Sequence, residues 1–476
     1  MSTLPHLLLA FGLSLSFHAA DGKGPGGDDD ARAVFLSAIP TYPGNVILAR
    51  PMDHAVTANV MLNQVPRIRI LYGAEGKTEQ QTALFDMTPG VAREIVLDNL
   101  PADAACRYRL VDANNQPLPA EWGAGIFHTC RPPGASFTFT IQADSHLDGF
   151  CLPELYKFTL ANAAACKPDF HIDLGDTFMT GKIATREAAA KQYVAQRYYF
   201  GLIAHTAPLF MVIGNHDGEE TAKPGAGAAD GLAVWSCLQR KRFFSNPVPD
   251  AFYSGNRESQ PYAGSLQNYY AWEWGGALFV VLDPYWYSAA NRGGKAPWAM
   301  TLGKAQYDWL ARTLRASKAA YKFVFIHQLV GGLDKGGRGG AEAAPLYEWG
   351  GHEKDGQDTF AANRPGWEKP IHDLLVETGV NAVFHGHDHF FARQERDGIL
   401  YQLVPQPGNR NFKRHQAEEY GYVKGDFLPN SGCLSVTVTP AAATVRYLRS
   451  AIPDMECNGI KNGAPAAEYI VKPRVR

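Results

Sequence analysis

The sequence predicts an α/β domain preceded by a small all-β sandwich domain. Three observations carry this. Short strands separated by turn signals fill residues 31–131. Arg131-Pro-Pro-Gly134 then breaks the chain. Beyond that break strands and helices alternate, and each strand runs into a polar turn.

In the first domain the strand pattern falls at Val46–Ala49, Arg67–Tyr72, Glu94–Leu97 and Arg107–Val111. The run from Leu100 to Leu110 resembles the corner before a late strand of fibronectin type III domains, and Ile126–Cys130 resembles their last strand. The α/β part spans residues 136–450. Its strands are expected at 137–143, 170–174, 209–213, 279–282, 323–326 and 382–384, and its helices at 152–166, 186–204, 302–317 and 370–377. A hairpin over 433–439 and 443–448 closes it, with 451–476 as a C-terminal extension. Gly-rich stretches near 218–231 and 331–366 interrupt the order, and loops of that size in a compact domain usually carry function. The aromatic run Tyr269–Trp274 reads as sheet packing.

The chain has 476 residues, 46% hydrophobic and 19% charged, which is a globular composition. A formal net charge of -2 gives no case for binding a nucleic-acid backbone. Leu7–Phe17 is almost wholly apolar and is followed by Ala19 and Ala20, so residues 1–20 read as a signal peptide. Asp21–Asp30, DGKGPGGDDD, is a linker. An exported protein, periplasmic or secreted, is expected, with no membrane span in the mature chain. Of seven cysteines, Cys106 and Cys130 could pair, as could Cys433 and Cys457. Cys151 and Cys166 bracket one helix that holds them roughly 22 Å apart by helical rise, too far for a disulfide.

Five blocks carry chemistry, each just after an expected strand. They are Asp144-Ser-His146, Gly175-Asp176, Gly214-Asn215-His216-Asp217, His327, and Gly386-His387-Asp388-His389. Carboxyl ends of strands in such a layer converge on one edge. Carboxylate, amide oxygen and imidazole together suit Mn, Fe or Zn, and a carboxylate such as Asp176 can bridge two ions. Strand alternation would put Asp144 with His146, and His387 with His389, on one side of an extended chain. The glycines before Asp176, Asn215 and His387 allow tight turns.

These blocks resemble the calcineurin-like metallophosphoesterase signature: D-x-H, GD, GNH[DE], a lone His, then GHxH. The resemblance implies a β-sandwich flanked by helices. It implies one ion on Asp144, His146, Asp176 and His389, and a second on Asp176, Asn215, His327 and His387. His216 would face the substrate phosphate and, when protonated, donate to the leaving group, with Asp217 orienting it. The implied activity is hydrolysis of a small phosphate ester by a hydroxide bridging the ions. A phosphomonoester is favoured, and a phosphodiester is the alternative. An exported binding protein with an inactive catalytic domain ranks lower, because no ligand is missing.

The first domain is similar to that of purple acid phosphatases, but their D-x-G and GDxxY blocks are altered here. His146 stands at the glycine and Met179 at the tyrosine, which removes the tyrosinate–iron colour. The usual His-x-Pro reads His327-Gln328-Leu329. His352, in a Gly-rich loop, is a candidate for reaching over the site, whereas His128, His171, His205 and His385 read as structural.

Overall fold

In the computed structural model, residues 33–223, 225–289, 296–456 and 460–474 are described. The expected signal peptide, the linker and Cys457 lie outside them.

The first domain is built from β1 (Gly44–Ala49), β2 (Val56–Leu62), β3 (Arg67–Ala74), β4 (Arg93–Leu97), β5 (Ala105–Asp112) and β6 (Ala124–His128). One antiparallel sheet runs β1-β2-β4, and the other places β5 between β3 and β6. Their inner faces share one core, with Val46, Val60 and Leu97 against Ile70, Tyr108 and Phe127. β3 and β5 alternate buried and more exposed residues as a half-buried sheet should. β1 and β2 are buried at every position. Their second face packs on the α/β domain, where Ile47 and Met61 meet Phe200, Ala204 and Leu209. Thr57 and Asn59 of VTANVML are therefore buried too, although the run alternates apolar and polar residues as a half-buried strand would. Cys106 and Cys130 are both free thiols, which corrects the expected pairing. Cys106 is buried in the sandwich core, whereas Cys130 packs against the core of the α/β domain.

The second domain begins with β7 (Phe137–Gln142), α1 (Pro153–Ala165), β8 (Phe170–Asp173), α2 (Arg186–Ala204), β9 (Leu209–Met211) and α3 (Leu232–Phe243). The chain continues through β10 (Tyr270–Trp274), β11 (Ala277–Val281), α4 (Lys304–Ala316), β12 (Tyr321–Phe325) and α5 (Ile371–Glu377). It ends with β13 (Ala382–His385), β14 (Phe391–Arg396), β15 (Ile399–Leu403), β16 (Gly432–Val438), β17 (Ala443–Arg449) and β18 (Pro465–Val471). A six-stranded sheet has the order β9-β8-β7-β16-β17-β18. An eight-stranded sheet contains β10-β11-β12-β13-β15-β14, with the short strands Ser254–Gly255 and Asp426–Leu428 at its edges. β18 pairs with β17, so the sheet extends beyond residue 450 and the expected C-terminal extension supplies an edge strand.

The two sheets face each other through an aromatic core. Phe139 stacks on Phe170 at 5.5 Å between centroids and meets Phe279 edge-on at 5.2 Å. Trp272 stacks on Phe210 at 4.0 Å, so Tyr269–Trp274 does pack the sheet. Truncating such a residue, for example Phe139→Ala, costs roughly 3–5 kcal/mol. Helices cover the outer faces. On one side α1 and α2 bury Tyr156, Leu160, Tyr199 and Ile203 together, and Thr185 caps α2 by accepting from the Ala188 N–H at 3.2 Å. On the other, Leu310 of α4 and Leu374 of α5 pack on Val280, Val324 and Val383. Among the described residues no helix is long and apolar enough to cross a membrane.

This topology positions the site. β7, β8 and β9 are parallel neighbours, and so are β11, β12 and β13. Five of these strands end just before a chemical block, so their carboxyl ends deliver Asp144, Asp176, Asn215, His327 and His387 to one edge of the sandwich.

Candidate metal centre

The turns after the strands are not extended. Asp144, His146, Asp176, His387 and His389 all have positive φ, between 49° and 79°. Side-chain alternation along a strand therefore does not bring Asp144 to His146, or His387 to His389; left-handed turns do. Non-glycine residues in that region carry strain, and such strain concentrates at functional sites. Glycine is obligatory where two turns touch. A Cβ on Gly175 would lie 2.4 Å from the Gly214 N, and one on Gly214 would lie 2.0 Å from the Asp176 N.

Asp217 locks these turns together. Its Oδ2 accepts from the Gly214 N–H at 2.7 Å and the Asp176 N–H at 3.1 Å, and its Oδ1 accepts from Thr177 and Phe178, both at 2.8 Å. The expectation that Asp217 orients the His216 ring is thus corrected. Four backbone donors occupy the carboxylate, and it acts as the fastener of the loop that carries Asp176. Burial and the nearby Asp176 raise Asp217 to about 7, against the pull of these donors.

Two clusters of ligand atoms result, Asp144 with His146 and His389, and Asp176 with His327 and His387. His389 Nε2 lies 3.4 Å and His146 Nε2 3.7 Å from Asp144 Oδ1. In the second cluster, His327 Nε2 is 3.3 Å from Asp176 Oδ2 and 3.0 Å from Asn215 Oδ1, and His387 Nδ1 is 2.9 Å from the same amide oxygen. Asp176 Oδ2 also lies 3.6 Å from His146 Nε2, so one carboxylate oxygen faces both clusters.

The remaining hydrogen bonds say what these atoms are for. His327 Nδ1 donates to the Leu174 carbonyl at 2.8 Å, and His387 Nε2 donates to the Gly336 carbonyl at 2.8 Å. Each neutral ring then presents a lone pair to Asn215 and Asp176, which also offer lone pairs. His146 Nε2 and Asp144 Oδ1 are buried without a hydrogen-bond partner. Acceptors aimed at acceptors in a buried place are costly unless a cation lies between them. The donor set therefore fits two metal ions.

Titration of the protein groups alone points the same way. At His327 burial opposes the cation, but Asp176 and Asp144 outweigh it and raise the imidazole to about 9. Asp144 and Asp176 are held below the usual carboxylate range by the surrounding histidines, again against burial. The site wants positive charge, which protons supply when metals do not.

His216 sits beside this centre, its Nε2 3.9 Å from Asp176 Oδ2 and its side chain a quarter exposed. Burial lowers it to about 3, with Asp176 pulling the other way, so the free ring is neutral near pH 7. Two cavities meet at Asn215. One, of about 200 Å³, is lined by His216, Lys182, Glu220 and Lys223. The other, of about 190 Å³, is lined by Pro297, Gln328, Lys335 and Gly337. Lys182, Lys223 and Lys335 were not singled out in the sequence, because a lone Lys in a turn or loop carries no pattern.

His352 does not reach this site. Its Nδ1 bonds the Gly350 carbonyl at 2.8 Å within its own turn. His171 Nδ1 pairs with Thr140 Oγ1 at 2.8 Å, His205 Nδ1 with the Gly201 carbonyl at 2.9 Å and His128 Nδ1 with the Thr129 carbonyl at 2.7 Å, and His385 is buried at the end of β13.

The sequence pattern of the calcineurin-like phosphoesterases matches residues 137–391. No curated protein sequence matches the chain. Among solved structures, that of PhoD is similar over 91% of this chain and 90% of its own, at 16% identity and a TM-score of 0.61. The purple acid phosphatase PPD1 from yellow lupin (Lupinus luteus) seeds is similar over 90% of this chain and 74% of its own, at 15% identity and a TM-score of 0.56. At such identities the likeness is one of fold. Together with the Asp/His clusters, the match over more than half of the chain shows that this protein belongs to the calcineurin-like phosphoesterases, metal-dependent hydrolases of phosphate esters.

Proposed function

We propose that the substrate is a small phosphodiester, the reading that the sequence placed second. The observation that carries it is a pair of cavities that both reach Asn215, one lined by residues of the 218–231 loop and one by residues of the 331–337 loop. A diester needs room for a substituent on each side of phosphorus. A monoester needs one such space and positive donors around a dianion.

Two bound ions would activate water as the nucleophile and polarise the phosphoryl group. Asp144, His146, Asp176 and His389 would hold one, and Asp176, Asn215, His327 and His387 the other. His216, neutral in the free protein, donates an N–H to a phosphoryl oxygen and so offsets charge that grows during attack. Asp217 keeps Asp176 and the 214–217 turn in register, which fixes where that donor stands. Lys182 and Lys335 each line one cavity and favour substituents with acceptor or anionic groups.

The phosphomonoester reading is favoured by Lys182, which lies close enough to His216 to disfavour its cation and thus to add positive field at the same side. A matched panel of aryl monoesters and diesters separates the two. A kcat/KM higher for diesters supports the proposal, and a clear preference for monoesters overturns it. We also propose export through residues 1–20. A mature protein that starts after about residue 20 supports this, and an intact Met1 in a cytoplasmic fraction contradicts it.

A further inference from the structure

Asp148 stands behind the metal ligand His146. Its Oδ2 lies 2.9 Å from His146 Nδ1, and its Oδ1 accepts from the Phe150 N–H at 3.1 Å. The residue is largely buried. The ring it holds is also held from the backbone, because Gln192 Nε2 donates to the His146 carbonyl at 2.5 Å. The opposite ring atom, Nε2, points at Asp144 and Asp176 and has no hydrogen-bond partner.

The other backed histidines differ. His327 and His387 each give their second ring N–H to a backbone carbonyl, of Leu174 and Gly336. Of these three metal-site rings, that of His146 is the one backed by a carboxylate. A carboxylate partner fixes the tautomer and raises the basicity of the ligating nitrogen more than a neutral carbonyl does.

We propose that Asp148 is a positioning residue that makes the two ion sites unequal. By keeping the His146 proton on Nδ1, it leaves the Nε2 lone pair for the ion shared with Asp144 and His389. This rests on the dinuclear reading above and adds to it a determinant that lies outside the ligand set.

Substitution separates this role from a packing role through an unusual rank order. In Asp148→Asn the side chain keeps one oxygen and gains an NH2 group. The Phe150 N–H can only donate, so it takes the amide oxygen and leaves the NH2 facing His146 Nδ1. Nδ1 must then accept, and the proton moves to Nε2, where it blocks the ion. Asp148→Ala removes the partner without forcing the wrong tautomer. The asparagine variant is therefore the worse binder, although it is the closer isostere.

The test is stepwise titration of the metal-free full-length chain with Mn(II), Zn(II) and Co(II), with the visible spectrum of bound Co(II) as a second readout. The expected result is that Asp148→Asn weakens one of the two ions by about 10–100-fold. The second ion should be unchanged, as should the Tm of the metal-free protein. Asp148→Ala should weaken that same ion less. Equal affinities in wild type and Asp148→Asn would overturn the proposal. So would a larger loss in the alanine variant, or equal loss of both ions with a lowered metal-free Tm, since those are the marks of a packing role. A wild-type chain that binds no ion would instead remove the dinuclear reading itself.

Discussion

Asp176 Oδ1 accepts a hydrogen bond from the backbone N–H of His216 at 2.7 Å. That bond commits one carboxylate oxygen to the 214–217 turn and leaves Oδ2 alone to face His146 and His327. The carboxylate between the two clusters and the backbone of His216 are thus set by one contact.

The Asp176→Asn variant keeps the shape but loses the charge shared by the two clusters. Metal content and turnover should both collapse. Near-normal turnover with two ions bound would show that Asp176 is not the shared ligand.

His216→Ala should keep both ions and the fold while turnover falls by about 10²–10³, the scale of losing one preorganised donor. Burial holds the ring neutral, and cations in the adjacent clusters would push the same way. Esters with good and poor leaving groups should therefore slow alike, in contrast to the protonated acid that the sequence suggested. Selective loss on poor leaving groups would restore the proton-donor role.

Gly214→Ala tests the contact between the two turns. The new methyl would stand 2.0 Å from the Asp176 N and 2.4 Å from its Oδ1, so the carboxylate must move. Loss of metal binding is expected, with a stability cost of roughly 1–3 kcal/mol from overpacking. Metal analysis beside thermal unfolding reads both, and an unchanged ion content would contradict the geometry.

The chemical blocks were legible because each polar block follows an expected strand, the clearest of them continuous apolar runs such as Phe323–Ile326. Their local geometry was not. Asp144 and His146 meet through left-handed turns, which no residue pattern announces outside glycine. Asp217 was read as a catalytic partner because it follows His216, yet its role depends on N–H groups up to forty-one residues away. β2 was not among the strands singled out, although VTANV alternates apolar and polar residues; what its sequence does not announce is that the second face is buried against α2, a tertiary contact. β18 was read as an extension because its exposed alternation is that of an edge strand, which little distinguishes from a tail.

The junction between domains rests on Arg197 of α2. It is fully buried and donates to Asn59 Oδ1 at 2.6 Å, the Asn59 carbonyl at 2.7 Å and the Phe243 carbonyl at 2.5 Å. Arg197→Met would leave these acceptors without partners. A loss of about 2–4 kcal/mol is expected in denaturant unfolding. A change below ~0.5 kcal/mol would mean that water replaces the guanidinium.

His171 gives a pH signature. Burial lowers its folded value to about 3, against about 6.5 in the unfolded chain. The unfolded state therefore binds the extra proton between pH 6.5 and 3. The contribution of neutral His171 is fully present above that window and is lost as pH falls through it. His171→Gln can keep a bond to Thr140 and cannot titrate, so its stability should fall less steeply over the same range. Parallel profiles for the two proteins would rule out His171 as a source of acid sensitivity.

The most direct test of the account is ion stoichiometry coupled to activity. Purified full-length protein should bind two metal ions per chain, lose hydrolysis of phosphate esters on chelation, and regain it when ions are returned. Full activity in a preparation with no bound metal would contradict it.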